Sequence, residues 1–168
     1  MSEKTLSSSP LNTLTSDLGY FQLYWSHFEF YLEVISHGIL QTSGKHTSII
    51  FSGLSFKGKQ QIAVALLKEQ KTEQADNIIK TIREIVNDAS RNHLIHSSLH
   101  FGGVDYAFSF VKRNIDNGFA VKKKQFTTKT FGRHVDQISS SVNELKALAN
   151  LSDDILLEYA KAAYGYDE

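Results

Sequence analysis

Eleven residues, Ser90 to His100 (SRNHLIHSSLH), hold Arg91, Asn92, His93, His96 and His100. Imidazole titrates near neutral pH and can take or give a proton. A guanidinium presents a planar fork that fits phosphate oxygens. Together they are what cleavage of RNA without a metal requires. A histidine takes the proton of the 2′-hydroxyl, and an arginine stabilises the charge that grows on the phosphate under attack. An apolar helical pattern runs into this stretch, and Gly102-Gly103 follows it. Ala75, Ile78, Ile82, Ile85 and Ala89 alternate steps of three and four, and the same stripe, extended, reaches Asn92 and then His96. On a continuous helix Asn92 and His96 share a face one turn apart, while Arg91 lies about 140° around the axis from His96. The pattern predicts a third helix from about Glu73 through His96, with Asn92 and His96 buried where the next core residues belong.

Arg91-Asn92-His93-Leu94-Ile95-His96 resembles the arginine-to-histidine signature of the HEPN superfamily. In that signature a polar residue, often asparagine, follows the arginine, and a histidine comes after four to six intervening residues. Here four residues separate Arg91 from His96, and Asn92 takes the polar place. The order of helices is similar over roughly residues 14 to 150, and Trp25 with Glu29 on the first helix is similar to bacterial members. The resemblance implies a metal-independent endoribonuclease with a composite site between two paired domains. It assigns phosphate stabilisation to Arg91, positioning to Asn92 and proton transfer to His96. Cleavage needs both a base and an acid, and each chain supplies one motif histidine, so a homodimer is expected. Many relatives lack activity, and the alternative function is a non-catalytic helical interaction or dimerisation module. The plainest reading is a polar ladder that ends a helix bundle and hydrogen-bonds neighbouring helix ends.

The elements around this stretch follow from periodicity. Residues 1–12 are polar and serine-rich, with the only proline at Pro10, and read as a flexible tail; residues 13–168 read as a single domain. Leu14, Leu18, Phe21, Trp25, Phe28, Leu32, Ile35 and Ile39 form one continuous helical stripe. Further aromatics off that stripe predict a helix covered on more than one side. Residues 41–53 read as a loop. A second helix is expected from Phe56 to Glu69 with Ile62, Ala65, Leu66 and Leu67 inward. After the glycine pair, aromatics at alternate positions, Tyr106, Phe108 and Phe110, predict a strand, and Asn117-Gly118 predicts the turn of a hairpin back through Phe119 to Phe126. Phe131, Val135, Ile138, Val142, Leu145 and Ala149 mark a long fourth helix, and Ser152-Asp153-Asp154 caps a short last one. The fold expected is all-α: a four-helix up-down bundle with an inserted β-hairpin and a short C-terminal helix, HEPN-like.

Composition bounds the function. With 41% apolar and 21% charged residues in 168, the chain is globular, and no apolar run reaches the length of a membrane span. The absence of cysteine removes disulfides and thiolate metal sites and fits a reducing, cytoplasmic setting. Net charge is zero, but residues 91–134 carry eight Lys or Arg against two Asp, while residues 135–168 carry seven acids against two Lys. The basic middle either faces a polyanion or pairs with the acidic end. Lys122, Lys123, Lys124 and Arg133 are the candidates for guiding an RNA backbone; a solvated strand edge is the simpler account. Glu29 is a candidate partner for Arg91. His93, His96 and His100 recur at helical spacing without a nearby carboxylate, so neither metal nor cofactor is expected. Gly53 to Lys59 has phosphate-loop spacing, but Gln60 stands where a serine or threonine belongs. Expected partners are a second copy, RNA and an unidentified protein, with no membrane.

Overall fold

In the computed structural model the described residues are 10–101, 107–114 and 120–165. The chain is mostly helical, with a small antiparallel sheet. The elements run α1 (Pro10–Leu40), α2 (Gly44–Ser52), α3 (Phe56–Gln70), α4 (Glu73–Ala89), α5 (Arg91–Ile95), β1 (Ser98–Phe101), β2 (Phe108–Asn114), β3 (Ala120–Phe126), α6 (Thr128–Leu148) and α7 (Asp153–Tyr164). No helix among the described residues is long and apolar enough to cross a membrane. The chain divides into two compact units, one of residues up to 22 with 86–138, the other of residues 23–85 with 139–168.

The first unit contains the sheet, ordered β1-β2-β3. β2 pairs with β3 so that Phe108 faces Phe126, Phe110 faces Lys124 and Lys112 faces Lys122. Its core is aromatic: Phe108, Phe110, Phe126 and Phe131 pack ring on ring at 5.2–6.1 Å, mostly edge to face. The predicted hairpin is therefore two strands of a three-stranded sheet. Its third strand, β1, has no counterpart in the expected hairpin. Tyr106, Asn117, Gly118 and Phe119 lie outside the described residues.

The second unit is built from α2, α3 and α7 with parts of α1, α4 and α6. Here α1 is buried at every position from Tyr31 to Ser36, so its own chain encloses it all round. Trp25, Phe28 and Phe56 form an aromatic cluster at its start. Three expectations are corrected. Residues 44–52 are a helix, because Ser43 caps it by accepting from the His46 N–H and because Thr47 and Phe51, one turn apart, are both buried. Gly44 is required there: a Cβ would lie 2.9 Å from the Ala162 side chain of α7. On α3 the buried pair is Ala63 and Leu67, and Ala65 is exposed. Finally, Pro10 to Asn12 form the first turn of α1 and are not tail, consistent with the tolerance of a helix start for proline.

Candidate functional site

α4 ends at Ala89, and Ser90 adopts left-handed dihedrals, φ 50° and ψ 28°. A non-glycine residue pays about 1–2 kcal/mol for that conformation and cannot carry a right-handed helix forward. The chain restarts as the short α5. Side chains from other elements hold the break. Lys124 of β3 donates from Nζ to Ser90 Oγ at 2.6 Å. His134 of α6 lies 3.3 Å through Nε2 from the Ala89 carbonyl; a carbonyl only accepts, so Nε2 carries the hydrogen. Gln137 Nε2 donates to Asp88 Oδ2 at 3.5 Å. Asp88, Ala89 and Ser90 are thus each tied to a different side chain. The Ala89 carbonyl is one of those that a helix end leaves without an internal partner.

The two basic side chains at this corner, Lys124 and His134, are both partly desolvated. Burial holds the Lys124 ammonium below the ordinary lysine value, against the opposing pull of Asp88. Its Nζ also sits 5.4 Å above the Phe126 ring. Burial lowers His134 as well; the Ala89 hydrogen bond opposes this, Lys124 adds to it and Asp88 opposes it. The His134 ring lies 6.3 Å from Phe21, 5.6 Å from Phe126 and 6.2 Å from Phe131. At neutral pH the corner therefore presents a neutral imidazole and a lysine beside the RNHLIH segment.

The break relocates the motif residues. Arg91 opens α5, half-buried, with its Nε enclosed by protein. His96 follows the last residue of α5 and is exposed. The predicted burial of His96 on the α4 stripe is thus corrected, and Leu94, 5% exposed, is the residue that enters the core. The side chains of Asn92 and His93 lie outside the described residues. His100 sits on β1 opposite Ser109, so His93, His96 and His100 do not form one helical row. Glu29 accepts from Trp25 Nε1 at 2.7 Å and pairs with Lys59 at 3.2 Å.

Among the basic residues, strand alternation separates the lysine run. Lys122 and Lys124 share a face with Lys112, and Lys123 falls on the opposite one. Lys122, Lys123 and Arg133 are exposed. Lys112 directly opposite Lys122 is a like-charge pair, an arrangement that weakens a sheet.

Two features escape a reading of the sequence. His134 lies one step from Val135 on the α6 stripe and one turn from Phe131, which placed it on the apolar flank but did not identify its acceptor. The other is a buried polar centre in the second unit. Glu33, 6% exposed, accepts from the Tyr159 hydroxyl at 2.7 Å and the Tyr164 hydroxyl at 3.5 Å. Burial first, then the bond to Glu33, pushes the Tyr159 phenol far above its usual range. The His37 ring lies 4.8 Å from that of Tyr159, and its Nδ1 is 3.4 Å from Thr47 Oγ1. Against known proteins, the chain matches no family model, and neither a curated protein nor a solved structure is significantly similar to it.

Proposed function

We propose that this chain is a HEPN-like, metal-independent endoribonuclease that works as a homodimer, with α1, α3, α4 and α6 as the long helices of an up-down bundle. The observation that carries the reading is the break at Ser90. It turns the RNHLIH segment out of the α4 stripe and leaves His96 accessible to a substrate. In the reaction, the His96 imidazole removes the 2′-hydroxyl proton and the 2′-oxygen attacks phosphorus. The bond to the 5′-oxygen breaks, and that oxygen takes a proton from the same histidine of a second copy. The products are a 2′,3′-cyclic phosphate and a 5′-hydroxyl. Arg91 meets the charge on the phosphate, Asn92 orients it, and the exposed Lys122 and Arg133 attract the strand, with Lys123 on the opposite sheet face and Lys124 held by Ser90. The Lys112–Lys122 pairing supports an anionic partner, since a phosphate between them would relieve their repulsion.

A second reading, a non-catalytic interaction module, is favoured by the half-burial of Arg91, whose enclosed Nε suits a structural arginine. One experiment separates the two. The full chain is incubated with mixed-sequence RNA in EDTA and the ends are analysed. Cyclic-phosphate ends are expected from the wild type. His96→Ala should lower the rate by about 10²–10⁴-fold, the range for loss of a general acid–base group. If wild type and His96→Ala are equally inert while both remain dimeric by light scattering, the module reading holds. A clean monomer would remove the composite site.

A further inference from the structure

In the second unit the ends of α1, α3 and α6 and the starts of α4 and α7 surround a pocket of about 420 Å³. Its floor is aliphatic and buried: Ile35, Leu67, Ile78 and Leu151 are each 3–7% exposed. Its rim is polar without fixed charge, carrying Thr72, Gln74 and Asn150, with His37 the one titratable side chain on the wall. The pocket opens to solvent, so an apolar group seated in it would remove its own surface from water against this floor. The backbone is strained at one place beside it. On the pocket's rim Asn150 holds a φ of 53°. Non-glycine residues in that conformation cost free energy and cluster where function requires them.

The rim's hydrogen-bonding capacity is also defined. Gln74 Nε2 donates to the Leu148 carbonyl at 2.8 Å, which leaves its Oε1 as an acceptor. Thr72 Oγ1 accepts from the Ala75 N–H at 3.1 Å, so its hydrogen remains to be donated. No lysine, arginine or acid lines the pocket among the described residues, so a charged ligand would lose its hydration with no counter-charge. An apolar cavity of about 150 Å³ accepts benzene, and ligand pockets generally run from about 300 Å³ upward.

We infer that this pocket binds an uncharged, mainly apolar small molecule of one or two rings bearing one N–H or O–H donor. The ring system covers the aliphatic floor, and the donor meets Gln74 Oε1. This site is independent of the RNA reading. Indole is the probe for the test, titrated into the full chain and followed by amide NMR. Saturable shifts are expected at Ala75, Ile78 and Leu151, together with a melting temperature that rises with indole concentration. Methylating the indole nitrogen removes the donor and should weaken binding about fivefold, the worth of one net hydrogen bond. Indole-3-acetate, which is charged, should not bind. A Cβ at Gly38, on the pocket wall, meets nothing within 4 Å, so Gly38→Leu can extend into the open space and should abolish the shifts. Ala75→Leu fills the pocket from the floor if the first variant fails to fold. The proposal is overturned by any of three results: no saturable shift at millimolar indole, equal binding of indole and its N-methyl derivative, or undiminished binding in a folded filled variant.

Discussion

Two polar centres in this chain solve opposite problems. At the end of α4, Lys124 and His134 are half-buried and spend their hydrogen bonds on a backbone break, leaving a neighbouring histidine in water. Around Glu33, a carboxylate is enclosed and its acceptor oxygen is met by two tyrosine hydroxyls. The first arrangement positions groups that something outside the chain can reach. The second satisfies a buried charge, and a charge so enclosed contributes through the cost of mispairing it rather than through reactivity.

The sharpest way to break that contrast is to remove a donor from the enclosed centre. Tyr159→Phe deletes the 2.7 Å bond and leaves Glu33, among the described residues, with the longer one from Tyr164. A loss of about 2–3 kcal/mol in urea-measured stability is expected, the range for a buried charged group deprived of a partner. Glu33→Gln keeps an acceptor and should cost less, and in Glu33→Gln/Tyr159→Phe the two losses should not add. A Tyr159→Phe loss below about 0.5 kcal/mol would mean that the carboxylate is satisfied from elsewhere. At the open corner, Lys124→Met keeps an aliphatic stem near Phe126 and loses the bond to Ser90, so a smaller cost of about 1 kcal/mol is expected by the same measurement.

How much of this was legible beforehand depended on whether a feature was periodic. The α1 and α6 stripes lie in the core because each rests on six or more residues at one spacing: Phe21, Trp25, Phe28 and Leu32 in one, Phe131, Val135, Ile138 and Val142 in the other. The Ser152 cap was equally local, and its hydroxyl accepts from Ile155 N–H at 3.2 Å. Periodicity misled at Ser90. Extending a clean stripe through Asn92 and His96 assumed that nothing stopped the helix, and no glycine or proline announced the stop. Its cause is tertiary, in Lys124 and His134, dozens of residues away. Helix α2 was missed for the reverse reason: nine residues rich in serine and threonine carry little pattern, and Gly44 matters only because Ala162 packs against it. The Glu33–Tyr159 pair spans 126 positions and had no local signal at all.

A finer comparison concerns strain. Lys71 and Ser90 are both non-glycine residues near φ 50° at the end of a helix. At Lys71 no hydrogen bond of the side chain depends on the residue being lysine among the described contacts, so Lys71→Gly should stabilise the protein by up to about 1 kcal/mol through relief of the left-handed penalty. Ser90→Gly gains the same relief and forfeits the 2.6 Å bond from Lys124, so its net change should be close to zero. Equal stabilisation by the two substitutions would show that the Lys124 bond contributes nothing.

A modest pH dependence is expected from His134. Its folded pKa lies below the ordinary value of 6.5, chiefly through burial. As pH falls below 6.5, the unfolded chain binds this proton before the folded one does. The contribution is thus fully present above 6.5 and is lost as pH falls through the lower, folded value. The ring is only half-buried, so solvent screening keeps the change modest. Urea unfolding at pH 7 and pH 5 should show the wild type losing more stability than His134→Gln, which cannot take up the proton and still offers an N–H to the Ala89 carbonyl. Parallel losses in the two proteins would place the acid sensitivity elsewhere and leave His134 as packing for the aromatic core alone.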